Sequence, residues 1–181
     1  MNFFKRVREC AKALVALSAM LMAPPAIAQW KDWDYELDQE KKSWQELQAQ
    51  IPSYPKPGNL LRFDAGANTA NVFFVDSASV SVGDDGVVRY TLMIKTGGGA
   101  TNVSFEGIRC DTRELKIYAF GRPNSDWSRA RDTRWREIMF REINNHHLTL
   151  FREHFCPTRK TIATVAQILQ TLKYGPPPRS D

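Results

Sequence analysis

Apolar and polar residues alternate most regularly between Asp84 and Phe120, and that stretch anchors the reading of the whole chain. Val88, Tyr90, Leu92 and Ile94 share one parity while Arg89, Thr91 and Lys95 take the other. A two-residue period of this kind belongs to a strand with one face buried. Asp84-Asp85-Gly86 just before it reads as a hairpin turn, because Gly86 can take positive φ at little cost. Gly97-Gly98-Gly99 just after it lacks the Lys-Ser/Thr ending of a phosphate loop and reads as a flexible hairpin tip. Val103 and Phe105 then sit on one parity, with Ile108 and Cys110 on the other. A one-residue bulge at Glu106-Gly107 would bring all four to the same side. Asp111-Thr112-Arg113 turns the chain again, and Leu115, Ile117 and Ala119 mark a further strand.

The pattern extends in both directions. Upstream, Leu60–Phe63 and Asn71–Val75 read as short apolar strands separated by a turn at 66–68, and Ala78–Val82 alternates as another. Downstream, Gly121–Asp132 is a polar loop, and Trp135–Phe140 suits a last strand better than an early helix. Asn145 is placed to cap a helix over His146–Phe155 with Leu148, Phe151 and Phe155 on its buried stripe, and Pro157 blocks its extension. Ile162, Val165, Ile168, Leu169 and Leu172 recur at three- and four-residue intervals, predicting a helix over Thr161–Lys173 closed by Gly175. Asp34–Gln50 is rich in helix formers and predicts a peripheral acidic helix, followed by an extended proline-rich connector at Ile51–Gly58. The expected architecture is α+β. An antiparallel meander of about five or six strands carries two C-terminal helices on one face, with the main domain at 59–175 and a proline-rich tail at 176–181.

Residues 1–28 differ in character from the rest. Lys5, Arg6, Arg8 and Lys12 give a basic start, Ala13–Met22 an apolar run, and Ala26-Ile27-Ala28 a small-residue cleavage site. That is the layout of a secretory signal peptide cut between Ala28 and Gln29. Pro24 and Pro25 end the apolar run well short of the roughly 20 residues of a membrane span, so no span is expected after processing. The expected location is periplasmic. The leader takes Cys10 with it and carries +3 of the formal net charge of +5. Residues 29–106 hold seven Lys/Arg against eleven Asp/Glu, and residues 107–181 hold fourteen against eight. The basic second half suits an anionic partner of the envelope, and nucleic acid is not expected for an exported chain.

Export leaves Cys110 and Cys156, forty-six positions apart. Two cysteines in an oxidising compartment predict one disulfide between sheet and helix, contributing about 4 kcal/mol by loop closure. The alternative is a reactive Cys110 thiolate beside Arg109 and Arg113; the absence of a CxxC pair and the presence of a second cysteine favour the disulfide.

The words DGVVRYTLMI, NVSFEGIRC and the distant Phe155-Cys156-Pro157, in that order, resemble the CNP-like family of uncharacterised bacterial exported proteins. The resemblance covers roughly Trp44–Gly175. It implies an envelope location and supports the cysteine pair, and it implies no catalytic residue.

No reaction is written in the motifs. His147 and His154 are seven apart, where one ion normally recruits helical neighbours at three or four, so no metal site and no cofactor are expected. No GxSxG, HExxH or CxxCH occurs. The acids Asp32, Asp34, Glu36, Asp38 and Glu40 lack the glycine and terminal glutamate of a calcium loop. What remains is recognition. Trp127 and Trp135 stand among Arg122, Arg129, Arg131, Arg134 and Arg136, placing planar cations beside aromatic surface suited to sugars, phosphate or carboxylate. The plainer reading makes Trp135 core, Trp127 a loop anchor and the arginines solubilising. The function expected is a non-catalytic binding or assembly module engaging an envelope protein or an anionic envelope component. The alternatives are an enzyme without a readable motif and, more remotely, a metal carrier.

Overall fold

In the computed structural model, which describes residues 43–66, 69–139, 145–158 and 161–178, the strands pair in chain order. Strands β1 (Leu60–Phe63), β2 (Val72–Val82), β3 (Val87–Lys95), β4 (Thr101–Arg109), β5 (Glu114–Gly121) and β6 (Trp127–Arg129) form an antiparallel meander. The two-residue β7 (Arg136–Glu137) also pairs with β5. Strands β6 and β7 thus share one side of β5, at Ala119–Gly121 and at Glu114–Leu115 respectively. Helix α1 (His146–Thr149) runs directly into a π-wound segment, Leu150–Phe155, and α2 (Val165–Tyr174) follows.

The helices cover the face predicted from β3. Phe73, Val75, Val88, Tyr90, Leu92 and Ile108 pack under Leu148, Leu150, Phe151, Phe155, Ile168 and Leu172. Each such side chain, fully buried, contributes about 1.5–3 kcal/mol. Cys110, just past β4, is bonded to Cys156 at the end of the π-wound segment, with Cα atoms 5.6 Å apart. Both predicted turns form. Gly86 has φ 77° in the β2–β3 hairpin, and Gly99 closes on Thr96 in the β3–β4 hairpin.

The other face is covered as well. Val87 to Met93 are buried without a break, including Arg89 and Thr91, which a one-sided sheet would leave in water. The cover is Trp44–Pro55, which crosses the sheet as a strap without helix or strand of its own, with Trp127 and Trp135 beneath it. The acidic helix expected over Asp34–Gln50 is therefore not formed at 43–50, and its first part lies outside the described residues. Helix propensity is worth only tenths of a kcal/mol per residue, and the strap's contacts with the sheet outweigh it. Covering both faces also removes the reason for a bulge at Glu106-Gly107. The β3–β4 register runs unbroken from Val87↔Arg109 to Lys95↔Thr101, leaving Val103 and Phe105 opposite in sense to Ile108. The irregularity sits on the other side of β4, where β5 accommodates Tyr118 as an extra residue between Ala119 and Ile117.

Four boundaries also move. The two strands expected at Asn71–Val75 and Ala78–Val82 are one, β2, with a register shift between Asp76 and Ser81; there Ser79 Oγ takes the Thr91 N–H in place of a backbone carbonyl. The polar loop after β5 is a hairpin whose return arm is β6. Within Trp135–Phe140 only Arg136–Glu137 is strand among the described residues. Helix α2 starts at Val165, four residues late, because Thr164 and Gln167 form a capping box. Asn145 makes no side-chain cap to α1, whereas Gly175 closes α2 at φ 87° as expected.

Candidate functional site

The strap is held by side chains from four strands and loops. Trp44 donates its indole N–H to the Asp85 carbonyl at 2.7 Å and lies 3.9 Å beneath the Arg109 guanidinium. Asp85 receives Arg89 through both oxygens at 3.1 and 2.6 Å, and its Oδ2 also accepts the Leu47 N–H. Arg89 Nη2 returns a bond to the Leu47 carbonyl at 3.0 Å. Burial pushes the Asp85 carboxyl up, but the hydrogen bonds and charge of Arg89 together with the Leu47 and Val87 N–H groups outweigh it and leave it below its ordinary value. Further along, Trp127 donates to the Pro52 carbonyl at 2.9 Å and packs against Tyr54 and Phe105.

Ala130 still bonds the Tyr118 carbonyl at 2.9 Å, and between there and β7 the segment 131–135 has no strand pairing with β5. A cleft of about 320 Å3 opens there, between strap residues Glu46–Ile51 on one side and Lys116, Tyr118, Arg129 and Thr133 on the other. Its chemistry centres on Glu46. One carboxylate oxygen, Oε2, accepts both Lys116 Nζ at 2.7 Å and the Trp135 indole N–H at 3.2 Å. Trp135 meanwhile packs edge-on against Trp44 at 5.9 Å. Burial raises the Tyr118 hydroxyl against the pull of the Arg89 charge, so it stays protonated in the wall. The rim is cationic. From Gly121 to Arg136 there are five arginines and two aspartates, a net of +3. Among the described residues only Arg134 of the five makes an ion pair, with Asp132 at 3.0 Å.

The model of one protein family, the CNP1-like family, matches residues 39–173. The chain belongs to the CNP1-like family. The match takes in the described strap, the whole sheet and α2 up to its last residue. No curated protein and no solved structure matches the chain.

Within this CNP1-like domain the predicted site residues divide. Trp127 and Trp135 face inward and bind the strap, so they anchor the cleft's walls without offering a flat surface for stacking. Arg129 lines the cleft. Arg131, Arg134 and Arg136 are exposed beside it, and Arg122 leans on Ser128 Oγ at 3.1 Å in the β5–β6 hairpin. Glu46, Lys116, Tyr118 and Thr133 complete the cleft and were not singled out from the sequence. Lys116 is the one residue carrying a visible signal, a cation within the otherwise largely apolar run LKIYAF.

A second polar cluster lies on the helix face. Glu106, almost fully buried, accepts Tyr90 Oη at 2.8 Å and Ser104 Oγ at 2.6 Å, and its Oε2 meets His147 Nε2 at 2.8 Å. Burial pushes the carboxyl up, but the His147 charge and the bonds from His147, Ser104 and Tyr90 hold it at about 2. Ser104 bonds the carboxylate instead of the imidazole, so the nucleophile–base contact of a hydrolytic triad is missing from this group. His154 is on a different wall, bonded to Thr171 Oγ1 at 3.1 Å, and burial lowers it to about 4. It borders a wider groove of about 860 Å3 between the π-wound segment, α2 and Pro176–Pro178. Among the described residues no three His, Cys, Asp or Glu side chains converge as metal ligands. No helix among them is long and apolar enough to cross a membrane.

Proposed function

We propose that this CNP1-like chain is an exported, non-catalytic binding module of the cell envelope, and that the cleft and its arginine rim take an anionic partner. The observation that carries the reading is the uncompensated charge of the rim. Arg129 and Arg131 are exposed next to a concave surface, and neither makes an ion pair among the described residues. Guanidinium groups in such a position fork onto carboxylate or phosphate and draw anions from solution. A periplasmic location is supported by the leader-like layout of residues 1–28 and by the buried Cys110–Cys156 bond, which oxidising compartments preserve.

The test is capture from native envelopes by in situ crosslinking, comparing the parent with an Arg129→Glu/Arg131→Glu/Arg134→Glu triple variant. The reading expects envelope components captured by the parent to fall by tenfold or more in the variant, and parent capture to weaken as salt rises. Equal capture at every ionic strength would remove the rim from consideration. Recovery of the mature protein with an N-terminus other than Gln29 would count against the proposed processing.

A further inference from the structure

One wall of the cleft carries a ligand-like group, and that group is the chain's own. Glu46 is carried on backbone that belongs to no helix and no strand, and its Oε2 sits on a cation and an indole N–H at once. Lys116 has no other carboxylate partner among the described residues, and Trp135 gives its one N–H to the same oxygen. Two convergent donors of this kind form a carboxylate receptor, in which charge-assisted bonds supply both strength and direction. The cleft leaves about 320 Å3 open beside the Glu46 side chain, and Arg129 on its far wall makes no ion pair among the described residues. The middle of β5, Lys116–Ile117, is also left without a pairing strand on this side, since β6 and β7 pair only with the ends of β5.

We propose that the cleft is a receptor for the carboxylate of an extended acidic peptide segment of a partner protein, with Glu46 as its internal stand-in. This rests on the anionic-partner reading above and names the chemistry of that partner. The peptide is favoured over a glycan or a phosphate because the group now seated on these donors is a glutamate of a peptide segment that is neither helix nor strand and is bonded across the same sheet. A tethered competitor acts at an effective concentration in the millimolar range, so an incoming carboxylate binds only after displacing Glu46. Displacement needs only rotation of that side chain. The strap itself remains fastened at Trp44 and Leu47 through Asp85 and Arg89.

The probe is a synthetic peptide of the strap's own sequence, Ser-Trp-Gln-Glu-Leu-Gln-Ala-Gln, compared with the same peptide carrying glutamine in place of its glutamate. Calorimetric titration should show the acidic peptide binding Glu46→Gln at least tenfold more tightly than the parent, with the glutamine peptide binding neither. Adding Lys116→Met to Glu46→Gln should abolish the gain. In the parent, the Trp135 indole N–H resonance should shift on titration with the acidic peptide, a readout independent of how well any variant folds. Equal affinity for parent and Glu46→Gln, or an unmoved indole resonance, overturns the proposal. So does binding of inorganic phosphate or a uronic-acid disaccharide to Glu46→Gln in preference to the peptide. Loss of envelope capture in the arginine triple variant with no effect of Glu46→Gln would leave the rim reading intact and remove only this receptor.

Discussion

Replacing Glu106 with glutamine isolates the charge of the buried cluster while keeping its shape. In the parent the carboxyl is held at about 2 against an ordinary value of 4.5, a depression of some 2.5 pH units. At about 1.4 kcal/mol per pH unit, the ionised form contributes about 3–4 kcal/mol to folding. Because the folded value lies below the unfolded one, that contribution is complete above pH 4.5 and is lost as pH falls toward 2. His154 acts in the neighbouring window. Lowered to about 4 from 6.5, it favours the folded state fully above 6.5 and loses that contribution as pH falls to 4. Urea unfolding followed by tryptophan fluorescence at pH 6.5, 4.5 and 3, with the disulfide intact, separates the two. Glu106→Gln should be about 3–4 kcal/mol less stable at pH 6.5. It should retain the decline from 6.5 to 4 and show a much shallower one below 4.5. The penalty is of the size expected when one member of a buried ion pair is removed. A variant within about 0.5 kcal/mol of the parent, with the same acid slope below pH 4.5, would refute the ion-pair account of this cluster.

Three further outcomes are expected. Burial raises Asp76 despite its bonds from Ala78, Ser79 and Asn59, so its ionised form opposes folding at neutral pH. Asp76→Asn should therefore melt higher than the parent at pH 7, with the difference shrinking as the medium is acidified toward pH 4. Removing the disulfide as Cys110→Ala/Cys156→Ala should lower stability by about 4 kcal/mol in urea titration, the loop-closure value for forty-six residues. Trp44→Ala should free the strap without unfolding the sheet. Hydrogen exchange at the Leu47 amide should accelerate at least tenfold while that of Leu92 is unchanged, and parallel acceleration of both would mean that the strap is integral to the sheet's cooperative unit.

The helix face was legible because its signals are local. The alternation at Val88, Tyr90, Leu92 and Ile94 needs only neighbours to be read, as does the spacing of Ile168 and Leu172. The strap was not legible because its conformation is dictated from afar. Trp44 bonds Asp85, and Glu46 bonds Lys116 and Trp135, across forty to ninety residues of chain, while the local composition of SWQELQAQ speaks for a helix. One trace of the second face did exist. Gly107 and Gly121 lie inside strands, where glycine marks close approach by another group. A Cβ at Gly107 would meet Tyr118 Oη at 2.7 Å, and one at Gly121 would meet the Tyr54 ring at 2.9 Å. The arginine loop was visible by composition. That its two tryptophans point inward was not, because their partners, Pro52 and Glu46, belong to the strap.

The strap's place in the chain bears on the order of assembly. Its residues leave the ribosome before any strand does, yet the groups that receive them, from Asp85 to Trp135, are made last by comparison. Until β5 and Trp135 exist, Glu46 has nowhere to dock and Trp44 has only Asp85 and Arg109 to hold it, so part of one side of the young sheet stays wet. A chain halted partway through synthesis would thus expose Phe105, which the finished molecule buries against Tyr118 and Trp127.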